Sequence, residues 1–490
     1  MLNAVILGLC CLLSLAHPAG GILLLLVLES SIFYLGSLAT VPLPVGYAGP
    51  SDVMILCILA GALLRANNYD ILPREWHRGQ VDCQGVLQQG PSRQFDLRIK
   101  RVLILTIVPY LVWFGFCAIC SAAPGDETWT VNVRSVANYI IPWALVPAIW
   151  LCRDQVRLMR RGILAIASAT AIIHLGIQLL DYRPLMTAAY WSYLGGATDY
   201  VESVIAREDF VRALPAGVML MLLVGIYAFS SYLLEPSHRR RCMLLAVAIL
   251  QFAGIGITFT RSLMLEIIAG CVLACMLAIR STADRQRLKE SILASGLVFA
   301  LMAAVIILER PDVAGFWQQR MERLDEDSLI FSTDTLRGQD NLAACSAIED
   351  RPLLGWGTPR SPSRYALRDE QTRNQDIHPL LSVGLVGGLP CIALVLLMQG
   401  GLAGGLWMKA RQSLPLRAAA MPALVIVLTA MLVINTIGAG GTFSGRGLLA
   451  FALMLGLGAS ELSRAASMQH AEQDEAFVIN GLSLAREAQA

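Results

Sequence analysis

Charged residues are scarce in this chain of 490 residues. Only 15% of the residues are Asp, Glu, Lys or Arg, while 56% are hydrophobic and the mean hydropathy is +0.60. Soluble domains carry about 25% charged residues, so this composition excludes a soluble globular protein. Apolar runs long enough to cross about 30 Å of hydrocarbon recur along nearly the whole chain, without the alternation of barrel strands. The sequence therefore predicts an all-α polytopic membrane protein.

Lysine is rare, and the N-terminal apolar run lacks basic residues. Only Lys100, Lys289 and Lys409 are lysines, so nearly every cation is an arginine. The apolar run 2–16 lacks the basic start and the small-x-small cleavage site of a signal peptide, and we expect it to be a retained helix. Most of the 12 cysteines lie inside apolar segments, which predicts packing residues rather than a disulfide framework.

The apolar runs predict 12 or 13 membrane-spanning helices. The first two runs are short, and they form either one broken helix or a tight hairpin around His17-Pro18. The predicted spans are 2–16, 19–38, 52–66, 102–121, 137–152, 162–180, 212–234, 241–258, 262–279, 290–309, 379–400, 418–438 and 445–462.

Basic residues are unevenly distributed between alternate loops. Twenty Lys or Arg lie in one set of loops, 67–101, 153–161, 235–241, 280–289 and 405–417. Only six lie in the alternate set, 121–136, 181–212, 259–261 and 439–446. The positive-inside rule makes the first set cytoplasmic.

This topology divides the chain into four parts. They are the helices of 1–309, an extracytoplasmic loop 310–378, the helices of 379–463 and a cytoplasmic tail 464–490. A loop of this length is usually functional or disordered. We expect this one to be folded on the membrane surface, with a helix over 335–349, and the tail to be mobile or weakly helical.

Several functional motifs are missing. No internal repeat is evident, which weighs against transporters built from inverted repeats. The glycine-rich segments 400–405 and 438–447 do not follow a predicted strand, so nucleotide binding is not indicated. No group of residues has metal-ligand spacing, and neither a metal, a cofactor nor a nucleic-acid partner is expected; Asp334 and Asp376 are the candidate ligands if a metal is bound.

Arg261 lies between two apolar spans with almost no loop. An arginine at membrane depth costs about 2.5–3.5 kcal/mol on insertion scales. Thr258, Thr260 and Ser262 surround it and make a polar notch. We interpret Arg261 as an anion-binding residue facing a cavity at the outer face, with Thr260 beside it; the alternative is an arginine that extends to the lipid headgroups.

Arg337 follows a segment with helix-capping residues. Asp334 or Thr333 is the expected N-cap of the helix that follows. Because the helix dipole favours anions at this end, an arginine there suits a bound phosphate, which both would attract. A plain surface ion pair is the alternative. Arg212, at the outer entrance of the span 212–234, is a candidate second anion contact.

His378 ends the polar loop and precedes Pro379 at the start of an apolar span. Imidazole titrates near neutral pH and can act as a general base toward a sugar hydroxyl. A structural histidine is the alternative. Of the remaining arginines, those of 360–373 either bind lipid or glycan phosphate or form a solvated face, and the second interpretation is favoured.

Three motifs resemble those of the O-antigen ligase/polymerase superfamily of bacterial membranes. The sequence PLLGWG at 352–357 is preceded by Arg337 and followed by His378 at the start of a glycine-containing span. The sequence TFTRS at 258–262 resembles the stretch before that family's long periplasmic loop, and 49–64 resembles an early family span. The resemblance covers the architecture of nearly the whole chain.

The resemblance implies a GT-C-type glycosyltransferase in the bacterial inner membrane. It further implies a donor glycan on undecaprenyl pyrophosphate and a metal-independent transfer with inversion at the anomeric carbon. Arg261 and Arg337 would then hold the pyrophosphate, and His378 would activate or orient the acceptor hydroxyl. A polymerase would use another lipid-linked glycan as acceptor, whereas a ligase would use lipid A-core or a protein hydroxyl, and the sequence does not distinguish the two. Contacts with other polysaccharide-assembly proteins are also left open.

Two other classes of function remain as alternatives. A transporter or flippase for lipid-linked sugars would have charged residues deep within several spans. A sensor or a structural membrane protein would leave the arginine and histidine positions without a chemical role. We favour the transferase.

Overall fold

The computed structural model of the protein describes its helical core. The described residues are 2–30, 41–43, 46–48, 50–68, 91–120, 139–179, 205–207, 210–212, 217–258, 261–281, 286, 288–293, 295–296, 336–357, 363–365, 377–434 and 445–487.

Helices dominate these residues from one end of the chain to the other. The N-terminal helices are α1 Leu2–Ala16, α2 Pro18–Ser30, α3 Pro50–Asn68, α4 Pro91–Cys120, α5 Leu145–Leu151 and α6 Val156–Leu179. The next are α7 Val218–Leu234, α8 His238–Gly256, α9 Arg261–Ser281 and α10 Leu336–Asp350. The last are α11 Pro379–Ala410, α12 Leu414–Thr429 and α13 Gly445–Glu487.

Shorter elements connect these helices. One-turn 3₁₀ helices cover Ile141–Ala144, Arg153–Gln155 and Ser363–Tyr365, and a π-helical turn, Ala430–Ile434, extends α12. Two small antiparallel hairpins also occur among the described residues, and with only three residues in each strand they leave the protein in the expected all-α class. They are β1 Val41–Leu43 with β2 Gly46–Ala48, and β3 Ile205–Arg207 with β4 Phe210–Arg212.

The protein is a multi-pass membrane protein by the length and composition of its helices. Five described helical segments are long and apolar enough to cross a membrane: Arg153–Gly176, Ser262–Ile279, Pro379–Ala410, Leu414–Leu432 and Gly447–Gln469. Helices occupy twelve of the thirteen predicted spans, although some are short. The other predicted span, 290–309, lies mostly outside the described residues.

Helix α7 forms the centre of the bundle. It packs against α6, α8, α9, α12 and α13. Fourteen of its 17 residues are buried, which explains why it is apolar on every side rather than amphipathic. Small residues allow the close approach of its neighbours: a Cβ on Gly270 of α9 would lie 2.8 Å from the side chain of Ile226.

Several helix ends are in contact next to loops that the sequence predicts to be cytoplasmic. Arg65 at the end of α3 bonds to Asp154 at 2.5 Å, and Arg160 of α6 lies 3.1 Å from Glu461 of α13. Ser413, just before α12, donates to Gln469 of α13 at 2.8 Å. These contacts involve three of the predicted cytoplasmic segments, namely 153–161, 405–417 and the tail from 464.

Helix α13 extends far beyond its predicted span. The sequence predicts a span over 445–462 and a mobile or weakly helical tail from 464. The structure continues as one helix to Glu487, which agrees with the helical alternative for the tail. Leu462 and Ala466 are buried and pack the start of this extension against the bundle. The apolar composition of the segment did not predict this packing.

Candidate functional site

The predicted site residues are described to different extents. His378 is described with its side chain and stands directly before α11. The backbone alone is described for Arg261, Arg337 and Arg212, which are the first residue of α9, the second of α10 and the last of β4. Asp334 and Thr260 lie outside the described residues, as does the predicted cap Thr333.

Helix α10 confirms the helix predicted over 335–349. It packs along the first turns of α11. Ala344, Ala347 and Ile348 of α10 form a small apolar cluster with Ile377 and Leu385, and this cluster is separate from the main core. The polar loop therefore contributes a folded unit that rests on the beginning of α11.

Asn341 connects α10 to His378. The backbone N–H of His378 donates to Oδ1 of Asn341 at 2.8 Å. Both residues are buried, Asn341 at 0% exposure and His378 at 6%. Burial removes competing water, so a lost partner would leave a polar group unsatisfied. This bond holds His378 at a defined place beside α10.

The imidazole of His378 is the N-cap of α11. Its Nδ1 accepts a hydrogen bond from the backbone N–H of Leu380 at 3.3 Å. Pro379 occupies the first turn, where the missing N–H costs nothing. A neutral ring that accepts at Nδ1 carries its proton on Nε2. In this conformation His378 is therefore a hydrogen-bond donor at Nε2.

Arg337 shares a helix face with Asn341. The two residues are four apart in α10, which places them one turn from each other on the same side. Because the Asn341 side chain reaches His378, this is the face of α10 that is directed toward the start of α11. The register thus places Arg337 and His378 at the same junction between two helices.

The PLLGWG sequence closes a break in α11. Helical geometry is lost at Gly387 and Gly388. The freed carbonyls of Leu385 and Val386 accept from the N–H groups of Trp356 and Gly357, at 2.6 and 3.1 Å. The N–H of Leu389 donates in return to the carbonyl of Pro352 at 2.8 Å. The segment therefore replaces helical hydrogen bonds that the break removes.

Glycine is required at this junction. Gly355, Gly357 and Gly388 have φ values of 62°, 71° and 68°, in the left-handed region. A Cβ on Gly388 would lie 2.3 Å from the carbonyl oxygen of Pro352. Trp113 of α4 adds a further contact, donating from Nε1 to the carbonyl of Gly387 at 2.9 Å. The glycines and the tryptophan fix the angle at which α11 bends.

Trp356 carries arginines on its ring. The guanidinium carbons of Arg351 and Arg364 lie 4.0 and 4.8 Å from its centroid, and its Nε1 donates to the carbonyl of Ala347 at 2.7 Å. Asp350 binds both Arg364 and the hydroxyl of Tyr365, and this hydrogen bond raises the pKa of Tyr365. Arg364 is exposed, as the solvated-face interpretation expects, but it also has these specific partners.

Arg261 belongs to a different part of the bundle. Helix α9, which it begins, packs on α7, α8, α12 and the π-helical turn. Helix α11 also packs on α12 and on that turn. A common neighbour thus connects the two helices that begin at Arg261 and Pro379. The pairing of Arg261 with Arg337 remains a prediction.

Sequence reasoning did not single out Glu266 and His174, two ionisable residues that are buried within the spans. Glu266 of α9 is 1% exposed, and neither of its carboxylate oxygens has a hydrogen-bond partner among the residues that the structure describes. His174 of α6 is also buried, and its Nε2 has no partner within the described part of the chain. A single acid in the apolar sequence 262–279 was the available signal for Glu266.

The described residues contain no candidate metal centre, and comparison with known proteins finds no relative. Within the described part of the chain, no three His, Cys, Asp or Glu residues are grouped as a metal site. No protein-family model matches the sequence. No curated protein matches it either.

Proposed function

We propose that this protein is a membrane glycosyltransferase of the GT-C type. It would transfer a glycan from undecaprenyl pyrophosphate to an acceptor hydroxyl at the outer face of a bacterial inner membrane, either as a polysaccharide polymerase or as an O-antigen ligase. The observation that carries this proposal is the bond between Asn341 and His378. This bond joins His378 to α10, the helix that contains Arg337. The family resemblance implies a role in the site for both His378 and Arg337.

The chemistry needs stabilisation of a phosphate leaving group. The acceptor oxygen forms a bond to the anomeric carbon while the bond from that carbon to the pyrophosphate oxygen breaks. Negative charge then collects on undecaprenyl pyrophosphate. Arg337, at the positive N-terminal end of α10, supplies charge-assisted hydrogen bonds to such an anion without a metal. Arg261 is the proposed second cation, with Arg212, Thr260 and Asp334 as further substrate contacts.

His378 suits the orienting role better than the base role. Since Nδ1 accepts from the backbone, the neutral ring offers Nε2–H and not a lone pair. That N–H can hold the acceptor oxygen or a pyrophosphate oxygen in line. The hydroxyl proton can pass to the departing pyrophosphate itself, which gains basic oxygens as the bond breaks.

Gene deletion in the native host tests this proposal. The deletion strain should accumulate undecaprenyl-pyrophosphate-linked glycan at the outer face and lose a surface polymer, measured by mass spectrometry of extracted lipid and by gel analysis of the polymer. The wild-type gene should reverse both effects, and Arg337→Ala should reverse neither. An unchanged lipid-linked pool in the deletion strain would refute the transferase proposal.

Transport of a lipid-linked sugar is the second candidate. Glu266 and His174 favour it, because a transporter is expected to have buried ionisable residues within its spans. Deletion of a flippase would leave the lipid-linked glycan on the cytoplasmic side, protected from externally added glycosidase in spheroplasts. Deletion of the transferase would leave it accessible.

A further inference from the structure

We propose that the turn 351–357 is a lipid anchor that seats the break of α11 at the membrane surface. In this arrangement only Leu389–Ala410 crosses the bilayer, and the first ten residues of α11 stand outside it. The partner is the lipid leaflet, with acyl chains around the exposed leucines and headgroup phosphates at the arginines. The inference does not depend on the proposed transfer reaction.

The length of α11 is the first observation. Its 32 residues would extend about 48 Å at 1.5 Å per residue, against about 30 Å of hydrocarbon. The part after the break, Leu389–Ala410, has a length of about 33 Å on the same rise. This part alone matches the bilayer, while the whole helix is too long by about twelve residues.

Exposure changes at the break. Every residue of Pro379–Gly388 is buried or half-buried, because α10, the 351–357 turn and Trp113 cover this part. After the break, every exposed residue of the helix is apolar: Leu389, Ala393, Leu396, Leu397 and Met408. An apolar exposed surface suits lipid, whereas the covered first part needs no lipid contact.

The 351–357 turn continues this apolar surface. The bond from Leu389 N–H to the Pro352 carbonyl places the turn at the level of the break. Leu353 is 68% exposed and Leu354 is exposed beside it. Irregular backbone tolerates lipid only where its polar groups are bonded within the protein, and the bonds of Trp356, Gly357 and Leu389 meet part of this need.

Cations and aromatic rings lie at the same level. Arg351 and Arg364 stack on Trp356, and Trp113 bonds at Gly387. Tryptophan is enriched where hydrocarbon meets headgroups. Arginine binds phosphate through paired N–H donors. Exposed leucines beside phosphate-binding arginines give the turn the amphipathic character of a surface-bound segment.

The boundary has a consequence for the candidate site. His378 lies ten residues before Gly388, so it is about 15 Å along the helix from the break. The junction of His378 with Asn341 would therefore stand in the aqueous phase, above the leaflet. The predicted span 379–400 would shift to 389–410.

Depth-dependent quenching of a fluorescent label tests the anchor. We would label single cysteines, Leu353→Cys and Leu354→Cys, with an environment-sensitive dye in proteoliposomes. The background would carry serine in place of reactive native thiols, beginning with the exposed Cys120 and Cys242. Leu397→Cys, with the same 68% exposure as Leu353, is the matched control within the span, and exposed Glu349→Cys of α10 is the aqueous control.

The anchor predicts a graded result. Labels at 353 and 354 should be quenched by lipids with a nitroxide near the headgroup and protected from aqueous iodide. The label at 397 should be quenched by a nitroxide deep in the acyl chain. Iodide quenching at 353 and 354 equal to that at 349 would overturn the proposal, and so would quenching as deep as at 397.

Discussion

The side-chain oxygen of Asn341 accepts a hydrogen bond from the backbone N–H of His378 across 37 residues of sequence. This bond joins the helix that begins near Arg337 to the helix that His378 caps. Both partners are buried, so the bond is shielded from water. It gives the long polar loop a defined place on the helical bundle.

Asn341→Leu should destabilise this junction. It leaves the buried N–H of His378 without its side-chain acceptor, at a cost of about 1–3 kcal/mol. Thermal unfolding in detergent should show a lower Tm, and glycan transfer in cells should fall. Asn341→Asp keeps the acceptor oxygen, and Ser346→Ala alters an exposed position on the same helix. If Asn341→Leu unfolds at the same temperature as Ser346→Ala, the bond does not contribute to the stability of the folded protein.

Gly388→Ala should be more damaging than Gly400→Ala in the same helix. Gly388 has a positive φ, and its added Cβ would meet the Pro352 carbonyl, whereas no atom of the described residues lies within 4 Å of a Cβ on Gly400. Strain at such a backbone position costs about 1–3 kcal/mol. Limited proteolysis of the loop 310–378 together with Tm measures the effect. Equal stability of the two variants would contradict the role given to the break.

Glu266→Met should raise stability. Because the carboxylate of Glu266 is buried and has no partner among the described residues, removing it relieves a penalty of about 1–3 kcal/mol. Glu461→Met is the opposite case, because Glu461 binds Arg160 at 3.1 Å and accepts from the Tyr227 hydroxyl at 2.7 Å. Its Tm should fall. A lower Tm for Glu266→Met would show that Glu266 has a stabilising partner, and a higher Tm with lost activity would assign it a functional role.

Alkylation of Cys345 should be slow and should speed up in Glu349→Gln. Burial, and then the nearby Glu349 carboxylate, raise the pKa of the Cys345 thiol above its ordinary value. Less of the thiol is therefore ionised at pH 8. Removing the carboxylate should lower the pKa of the thiol and increase its thiolate fraction. Peptide mass spectrometry after timed iodoacetamide treatment measures the rate. Ser346→Ala controls for local disturbance, and an unchanged rate in Glu349→Gln would contradict the electrostatic effect.

The sequence predicts the helices better than the contacts between them. Apolar runs of the right length locate most spans, and the capping pattern before Arg337 locates α10, because both signals are local. The break of α11 lies inside an apolar run, so hydropathy gives no sign of it. The pair of glycines at 387 and 388 followed by Pro390 was the available signal.

The candidate site shows the same division. His378 and Arg337 are predicted as site residues from their place in the loop and from the sequence resemblance, because both signals are local. Asn341 is not, because its partner lies far away in sequence and only the packing of α10 on α11 brings them together. The PLLGWG sequence is recognisable as a motif, but its backbone bonds to the broken helix depend on the three-dimensional fold.

The most direct test of the transferase proposal is turnover by the purified protein. The protein would be placed in nanodiscs with the lipid-linked glycan extracted from the deletion strain, which is donor and acceptor for a polymerase, and with added lipid A-core as the acceptor for a ligase. Released undecaprenyl pyrophosphate would be measured. Wild type should release it, and so should the control Arg239→Ala, which changes an exposed arginine at the start of α8. Arg337→Ala should not release it, although it inserts and accumulates normally. Release by Arg337→Ala at the wild-type rate would contradict the account.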